Sequence, residues 1–481
     1  MGSVPQFGLG WSPTEDGGYI RQMDTLESLF LVMAELGAPL NKHHWSINST
    51  VKLSFPNNIS DPVPFLQQAW LATRRRHPTI AAVAAAGNPE SPGAIGRLIT
   101  IPALDPRKFL EDTFFLHDGD CKDATELAKT IQAPQYGTIH WIPATGELLV
   151  NMCHWQFDGV GMVMMWAGFL DFLATFVRDG LGAKVNDESI LTVTVDELNE
   201  SPMDEESTPK RLREAADAMI GTFLQGMPGV GPPLKSKEGD VPGDTFRREL
   251  VIDEATTNCI IGACKKKDYS VSAMVQTAML KVIGQYEQHA AAKHYSIFIP
   301  VDLRKLLPKP YNASSHAGGT RLSGWPLLVE NVAGKSFADM APAINEAYRT
   351  DFTKVMKDDD GKDMSLVQYT APYARRVLGL YTATPPPGMP PRTTPCVSSL
   401  GLVEKYIKPD YDVGGDQKLE VESFFLSLEM LGQDQYIHVW TFRGKLHLQI
   451  SANSTHYDAQ FLDDELQRIR TELVHGLGIA N

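Results

Sequence analysis

One nine-residue stretch, Asn151-Met152-Cys153-His154-Trp155-Gln156-Phe157-Asp158-Gly159, gathers the residue types that can do chemistry. A histidine stands four residues before an aspartate, and a glycine follows. Imidazole titrates near pH ~6.5, so a neutral ring at a strand end can take the proton from an alcohol or amine while that group attacks a carbonyl. No covalent intermediate on the protein is required. The same residues also permit a plainer arrangement, a hydrogen-bonded core histidine followed by an aspartate that caps the next helix. Such spacing arises by chance in on the order of a few per cent of chains this size, so the surroundings must decide.

Other chemistries find little support. Successive strand side chains point to opposite faces, which turns Cys153 away from His154 and makes it a poor thiol partner. The chain has no Gly-x-Ser-x-Gly elbow, no P-loop and no Gly-x-Gly-x-x-Gly fingerprint. Cys259 and Cys264 lack the second ligand pair of a zinc site, and no metal is expected. His456-Tyr457-Asp458 reads as the start of a terminal helix over 459–477.

The elements that must hold His154 are legible around it. Residues 138–142 and 147–154 read as strands joined by Pro143-Ala144-Thr145-Gly146, a hairpin. From 159 to 178 apolar residues cover most of a helix, which should be largely buried, with Met162, Met164 and Met165 as core filler. Upstream, 24–37 and 62–77 read as helices and 44–55 as a strand whose odd positions, Trp45 among them, are apolar. Downstream, 245–252 and 295–300 read as strands and 270–287 as a helix. Residues 385–391 form a proline-rich loop, and strands at 419–428, 436–442 and 445–451 close the chain, the last two as a hairpin at Arg443-Gly444. No internal repeat is seen.

At 481 residues, 43% of them hydrophobic, the chain is long enough for more than one core. The polar, Gly- and Pro-rich run at 199–244 separates a lobe at 1–198 from one at 245–481. A formal charge of −14 argues against general nucleic-acid binding. Arg74-Arg75-Arg76 and Lys265-Lys266-Lys267 read as solvated helix faces. Five cysteines without paired spacing fit a reducing compartment. Met1 to Gln6 shows no basic-then-apolar leader, no apolar run reaches bilayer-spanning length, and a cytoplasmic protein without membrane attachment is expected.

His154 to Gly159, between its apolar strand and apolar helix, resembles the His-x-x-x-Asp-Gly signature of the chloramphenicol acetyltransferase-like acyltransferase superfamily. Three further segments match in the same order: 66–78 ending in Arg76-His77-Pro78, Ile299-Pro300-Val301-Asp302-Leu303-Arg304, and Val397-Ser398-Ser399-Leu400-Gly401. The likeness covers nearly the whole chain, and within the superfamily the fungal trichothecene 15-O-acetyltransferase-like and condensation-domain branches look nearest. The plant-type motif Asp-Phe-Gly-Trp-Gly is barely preserved at Tyr411-Asp412-Val413-Gly414-Gly415-Asp416.

The resemblance implies an α/β fold of two chloramphenicol acetyltransferase-like sandwich lobes with a tunnel at their interface, working as a monomer. His154 would be the general base and Asp158 an orienting residue paired with Arg304. Gly159 would allow a tight turn and leave room for a thioester, and Ser398 or Ser399, one of the two at most, would donate to the oxyanion. The implied activity is transfer of an acyl group, acetyl foremost, from acyl-CoA as co-substrate to a hydroxyl of a fungal secondary metabolite, with no bound cofactor. Two alternatives remain open: a stand-alone condensation enzyme fed by a carrier-protein thioester that forms an amide or ester, and a non-acylating member that only binds a metabolite.

Overall fold

The hairpin that delivers His154 lies inside the first sheet. The computed structural model describes residues 8–86, 96–237, 239–358, 360–384 and 388–479. The first half of the chain supplies strands β1 (Ile47–Ser54), β2 (Phe114–Leu116), β3 (Thr138–Ile142) and β4 (Glu147–Met152). The second half supplies β5 (Thr245–Ile252), β6 (Tyr295–Asp302), β7 (Leu322–Val329), β8 (Cys396–Leu402), β9 (Asp410–Asp412), β10 (Lys418–Leu428), β11 (Tyr436–Phe442) and β12 (Lys445–Asn453).

β3 and β4 pair antiparallel from Thr138–Asn151 to Ile142–Glu147, with Gly146 at φ 69° closing the turn. Their sheet has six strands in the order β9-β10-β1-β4-β3-β2. β10 therefore lies against β1, more than 350 residues away in sequence, with Leu428 opposite Ile47 and Phe424 opposite Val51. The other main sheet runs β8-β11-β12-β5, and β6 pairs with β7 alongside it. One strand pair from the second half thus completes the sheet of the first.

Helices α1 (Thr25–Glu35), α2 (Val63–Arg76) and α3 (Gly159–Asp179) serve the first core, and α2 packs along α3. α1 is fixed by a capping box in which Asp24 accepts from the Glu27 amide and the Glu27 carboxylate accepts from the Asp24 amide. The Glu27 carboxylate also takes both Arg21 guanidinium ends at 2.7 Å. After the long crossing helix α4 (Lys210–Gln225), α5 (Glu254–Lys266), α6 (Val271–Ile283), α7 (Phe337–Tyr348), α8 (Thr370–Thr382) and α9 (Ala459–Gly476) follow. α6, α7 and α9 cover the second sheet over a core of its own, whereas α8 returns to pack on α1.

Several expectations need correction. Trp45 is not a strand residue: it has φ 62°, a left-handed backbone rare for a bulky side chain, and β1 starts only at Ile47. Arg74 is not solvated. It is 4% exposed, its guanidinium lies over the Phe109 ring and donates to the Pro102 carbonyl, and burial pulls its pKa down to about 10. α3 does reach spanning length, with 21 residues and a mean hydropathy of 1.8 over its most apolar window. That apolar surface is buried against the sheet and α2, which explains it without a membrane. Pro385 to Pro387 of the expected loop and the reading of Met1 to Gln6 lie outside the described residues.

Candidate active site

β4 ends at Met152, so His154 is not the last strand residue but sits in a turn two residues further on. That turn is clamped from both sides. The Gln156 amide accepts from the Cys153 N–H at 3.3 Å and donates to the carbonyls of Thr79 at 3.3 Å and Ala82 at 3.0 Å. From the second half of the chain, the Thr320 hydroxyl donates to the His154 carbonyl at 2.9 Å and the Gly319 N–H to the Gln156 carbonyl at 2.7 Å. The imidazole lies flat on Phe30 of α1, centroids 4.2 Å apart and planes 9° apart.

His154 is 7% exposed. Its Nδ1 is shut off from solvent without a hydrogen-bond partner, and Nε2 is the nitrogen left open. Burial pushes the ring down to about 4, against the opposing pull of Asp158 and of its own carbonyl, so it is neutral at pH 7. Cys153 is buried, and burial raises its thiol to about 12, which leaves no thiolate to act as nucleophile.

Asp158 turns the other way. It caps α3 through the Gly161 N–H at 2.7 Å, receives Arg304 Nη1 at 2.9 Å on each carboxylate oxygen, and accepts the Arg321 N–H at 2.7 Å. Asp302 shares the same guanidinium at 3.1 Å. Burial alone would raise the Asp158 carboxyl, but the charge and hydrogen bonds of Arg304, with the two backbone amides, hold it below the usual range. A carboxylate so occupied has no lone pair free to relay a proton from His154. It joins the His154 turn, the start of α3 and the loop after β6 into one unit.

The glycine beside it does less than expected. Gly159 has no positive φ, so no tight turn demands it, and an added Cβ would meet only the end of Leu400 at 3.2 Å. Gly161 is the constrained one: a Cβ there would lie 2.4 Å from the Ala317 carbonyl and 2.9 Å from Arg304 Nη2.

His154, Phe30 and Asp158 border a cavity between the two sheets, about 1500 Å³ of empty space with adjoining open solvent included. β8 and β11 form another part of its wall. They pair in parallel with Ser398 beside His438 and Cys396 beside Tyr436, and all four residues line the cavity. Alternation along β8 separates the two serines. Both line the cavity, but the Ser399 hydroxyl is engaged, accepting from Ser272 of α6 at 2.8 Å and from the Gly401 N–H, whereas Ser398 lies on the His438 side.

Several lining groups carried no signal in the sequence. Trp45 is swung inward by its left-handed backbone, Arg321 acts through its main chain, and His438 is one residue of an ordinary alternating strand. Outside the cavity, His117, Asp120 and Cys121 hold ligand-type atoms within 4.8 Å of one another beyond β2, at the far edge of the first sheet.

No family model matches the sequence. The chain is 26% identical to the loline biosynthesis cluster 1 transcription factor lolU1 of Epichloe uncinata, over 98% of this chain and 97% of that one. It is 24% identical to the O-acetyltransferase pigM of Monascus ruber, over 98% of this chain and 88% of that one. Among solved structures, the TRI3 trichothecene 15-O-acetyltransferase of Fusarium sporotrichioides superposes with a TM-score of 0.75 over 98% of each chain, at 13% identity. That last likeness is one of fold.

Proposed function

We propose that this chain, a member of the chloramphenicol acetyltransferase-like superfamily by its two-lobed fold, transfers an acyl group, acetyl foremost, from acyl-CoA to a hydroxyl of a fungal secondary metabolite. The observation that carries the reading is the division at the motif. His154 holds one free nitrogen in the cavity, while Asp158 is saturated by Arg304 and backbone amides.

His154 Nε2 takes the proton of the acceptor hydroxyl as its oxygen attacks the thioester carbonyl. The negative charge that develops on the former carbonyl oxygen meets the Ser398 hydroxyl. Collapse re-forms the carbonyl, breaks the carbon–sulfur bond and expels the CoA thiolate, which takes the proton back from His154. The imidazolium formed in between lies on the face of Phe30, whose π-electrons favour a cation.

The acceptor side of the reading rests on unpaired polar groups. Trp45 Nε1, Ser323 Oγ and Thr394 Oγ1 line the cavity, buried and without a protein partner, as they would be if substrate oxygens filled them. The transcription-factor name of lolU1 does not extend to DNA binding here, because a net charge of −14 works against attraction to phosphates.

Acetyl-CoA and a panel of alcohols incubated with the purified protein should release free CoA and yield an ester. His154→Ala should cut turnover by about 10²- to 10⁴-fold, and unchanged turnover overturns the assignment of the base. Offering the acyl group on a carrier protein instead separates the two donors: ester formation only from the carrier-bound thioester makes the chain a condensation enzyme.

A further inference from the structure

His438 lines the same cavity as His154, and the reaction just described leaves it without a task. It is 2% exposed and lies close enough to His154 that a proton on one disfavours a proton on the other. Its Nδ1 is held 2.8 Å from Gln449 Oε1. The same Gln449 amide donates from Nε2 to Ser451 Oγ at 2.9 Å, and Ser451 Oγ also receives the Leu428 N–H at 3.2 Å. The glutamine carbonyl faces the histidine and also accepts from the Ser451 hydroxyl at 3.3 Å. Nδ1 must then carry the hydrogen, and Nε2 keeps its lone pair.

Nε2 has no partner among the described residues, although Ser398 is its neighbour in register and Tyr436 lies beside it with ring centroids 6.2 Å apart. Its lone pair is open to the cavity, where a substrate donor can reach it. Trp45, Ser323 and Thr394 offer hydroxyls and an indole N–H that are buried without a partner; His438 Nε2 is open to the cavity and offers an acceptor alone.

We propose that His438 Nε2 accepts a hydrogen bond from the acceptor substrate, which therefore carries a second donor, a hydroxyl or N–H, beside the hydroxyl that is acylated. This rests on the acyl-transfer reading and narrows its substrate to diols and amino-alcohols. Two imidazoles in one cavity then divide the work: His154 removes the proton of the reacting hydroxyl, and His438 holds the neighbouring group so that the reacting oxygen faces the thioester.

Burial pushes His438 down to about 4, so the lone pair is present throughout the neutral range. The groups that face the ring are Gln449 from β12, Ser398 from β8, Tyr436 from its own strand and His154, and none carries a charge at pH 7 that would protonate it.

Two measurements on the full chain decide this. The first is the tautomer, read from two-bond ¹⁵N–¹H spectra of histidine-labelled protein at pH 7, with the His438 signals assigned by their loss in His438→Phe. A protonated Nδ1 and bare Nε2 are expected; a protonated Nε2 overturns the proposal. The second compares cis-1,2-dihydroxytetralin with 2-tetralol as acceptors for acetyl-CoA, flat bicyclic probes suited to aromatic walls. The ratio of kcat/KM, diol over mono-alcohol, should be about five to ten in the wild type and fall to about one in His438→Phe, in line with one neutral hydrogen bond.

His438→Gln, which restores a carbonyl acceptor, should recover part of the ratio and guards against a variant that merely folds badly. A wild-type ratio near one, or one unchanged in His438→Phe, overturns the proposal. If the wild type releases no CoA with either alcohol, acyl transfer to such acceptors fails as a reading. The hydrogen bond is then judged by the ratio of dissociation constants of the two alcohols, followed by tryptophan fluorescence, with the same expected and overturning values.

Discussion

At His154 a depressed pKa and a stacked aromatic ring work against each other. Burial brings the imidazole to about 4, so it is a ready but weak base at neutral pH. Phe30, at 4.2 Å, partly compensates by stabilising the imidazolium once the proton has moved. The sign for activity is direct. A base must be neutral to act, and a lowered pKa keeps it neutral further into acid, so the acid limb of kcat/KM should fall near pH 4 and not near ~6.5. A limb at the ordinary histidine value, from short assays with the protein still folded, would mean that His154 is solvated in the working enzyme. Phe30→Leu keeps the apolar contact and removes the ring, and should lower kcat by roughly two- to fivefold, the worth of an ordinary cation–π contact of about 0.5–1 kcal/mol, with a smaller change in KM. Asp158 and Arg304 were legible as partners, and His154 as the candidate base, because each stands in a short segment that resembles the superfamily's. Trp45, Phe30 and His438 were not, because what sets them apart is direction in space.

Among the elements, the start of α3 shows how a short motif becomes a rigid site. Asp158 is helix cap and ion-pair partner at once, so the plain and the chemical readings of the sequence describe one arrangement. The glycines on either side of Val160 respond differently. Gly161→Ala forces a Cβ to within 3 Å of the Ala317 carbonyl and of Arg304, neither of which can yield without loosening the Asp158 pair. It should cost about 1–3 kcal/mol of stability and lower activity at the same time. Gly159→Ala meets only the end of the Leu400 side chain and should cost less than Gly161→Ala. Chemical denaturation of the two variants in parallel ranks them, and equal losses would count against the clamp. The helices and the hairpin here followed from periodicity and turn residues. α7 and α8 did not: α7 carries Pro342 inside it, and α8 begins without a side-chain cap.

Over the whole molecule, the pairing of β10 with β1 and the contact of Arg304 with Asp158 join residues far apart in the chain; the second was expected through the resemblance of 299–304 to the superfamily's segment, and no local pattern announces the first. What those distant contacts achieve is deep burial, and burial makes the fold sensitive to acid through its histidines. His44, His154 and His438 are each lowered to about 4 and His77 and His140 to about 3, in every case chiefly by desolvation. Their folded pKa values lie below the unfolded value of ~6.5, so below that pH the unfolded chain binds protons that the folded one refuses, and stability falls by about 1.4 kcal/mol per pH unit for each. Glu465 runs the other way. Burial raises it to about 7, so between pH 7 and its ordinary value of 4.5 the folded state binds the extra proton and gains. Burial likewise raises Asp24, Asp196 and Asp302, which add to the gains, and lowers His43, His316 and His456, which add to the losses; the lowered rings outnumber the raised carboxyls, so unfolding takes up protons on balance. Paired carboxylates such as Asp158 and Glu429, held below their usual values, add their losses only in stronger acid. The midpoint of thermal unfolding should therefore drop from pH 6.5 to 4.5, before the lowered carboxylates of Asp158 and Glu429 are titrated. Replacing His154 by Leu should make that descent shallower by about one proton's worth. A midpoint that holds level or rises between pH 6.5 and 5 would mean that these rings are not buried in the neutral form, and the cavity between the sheets would then be wetter than the fold described here.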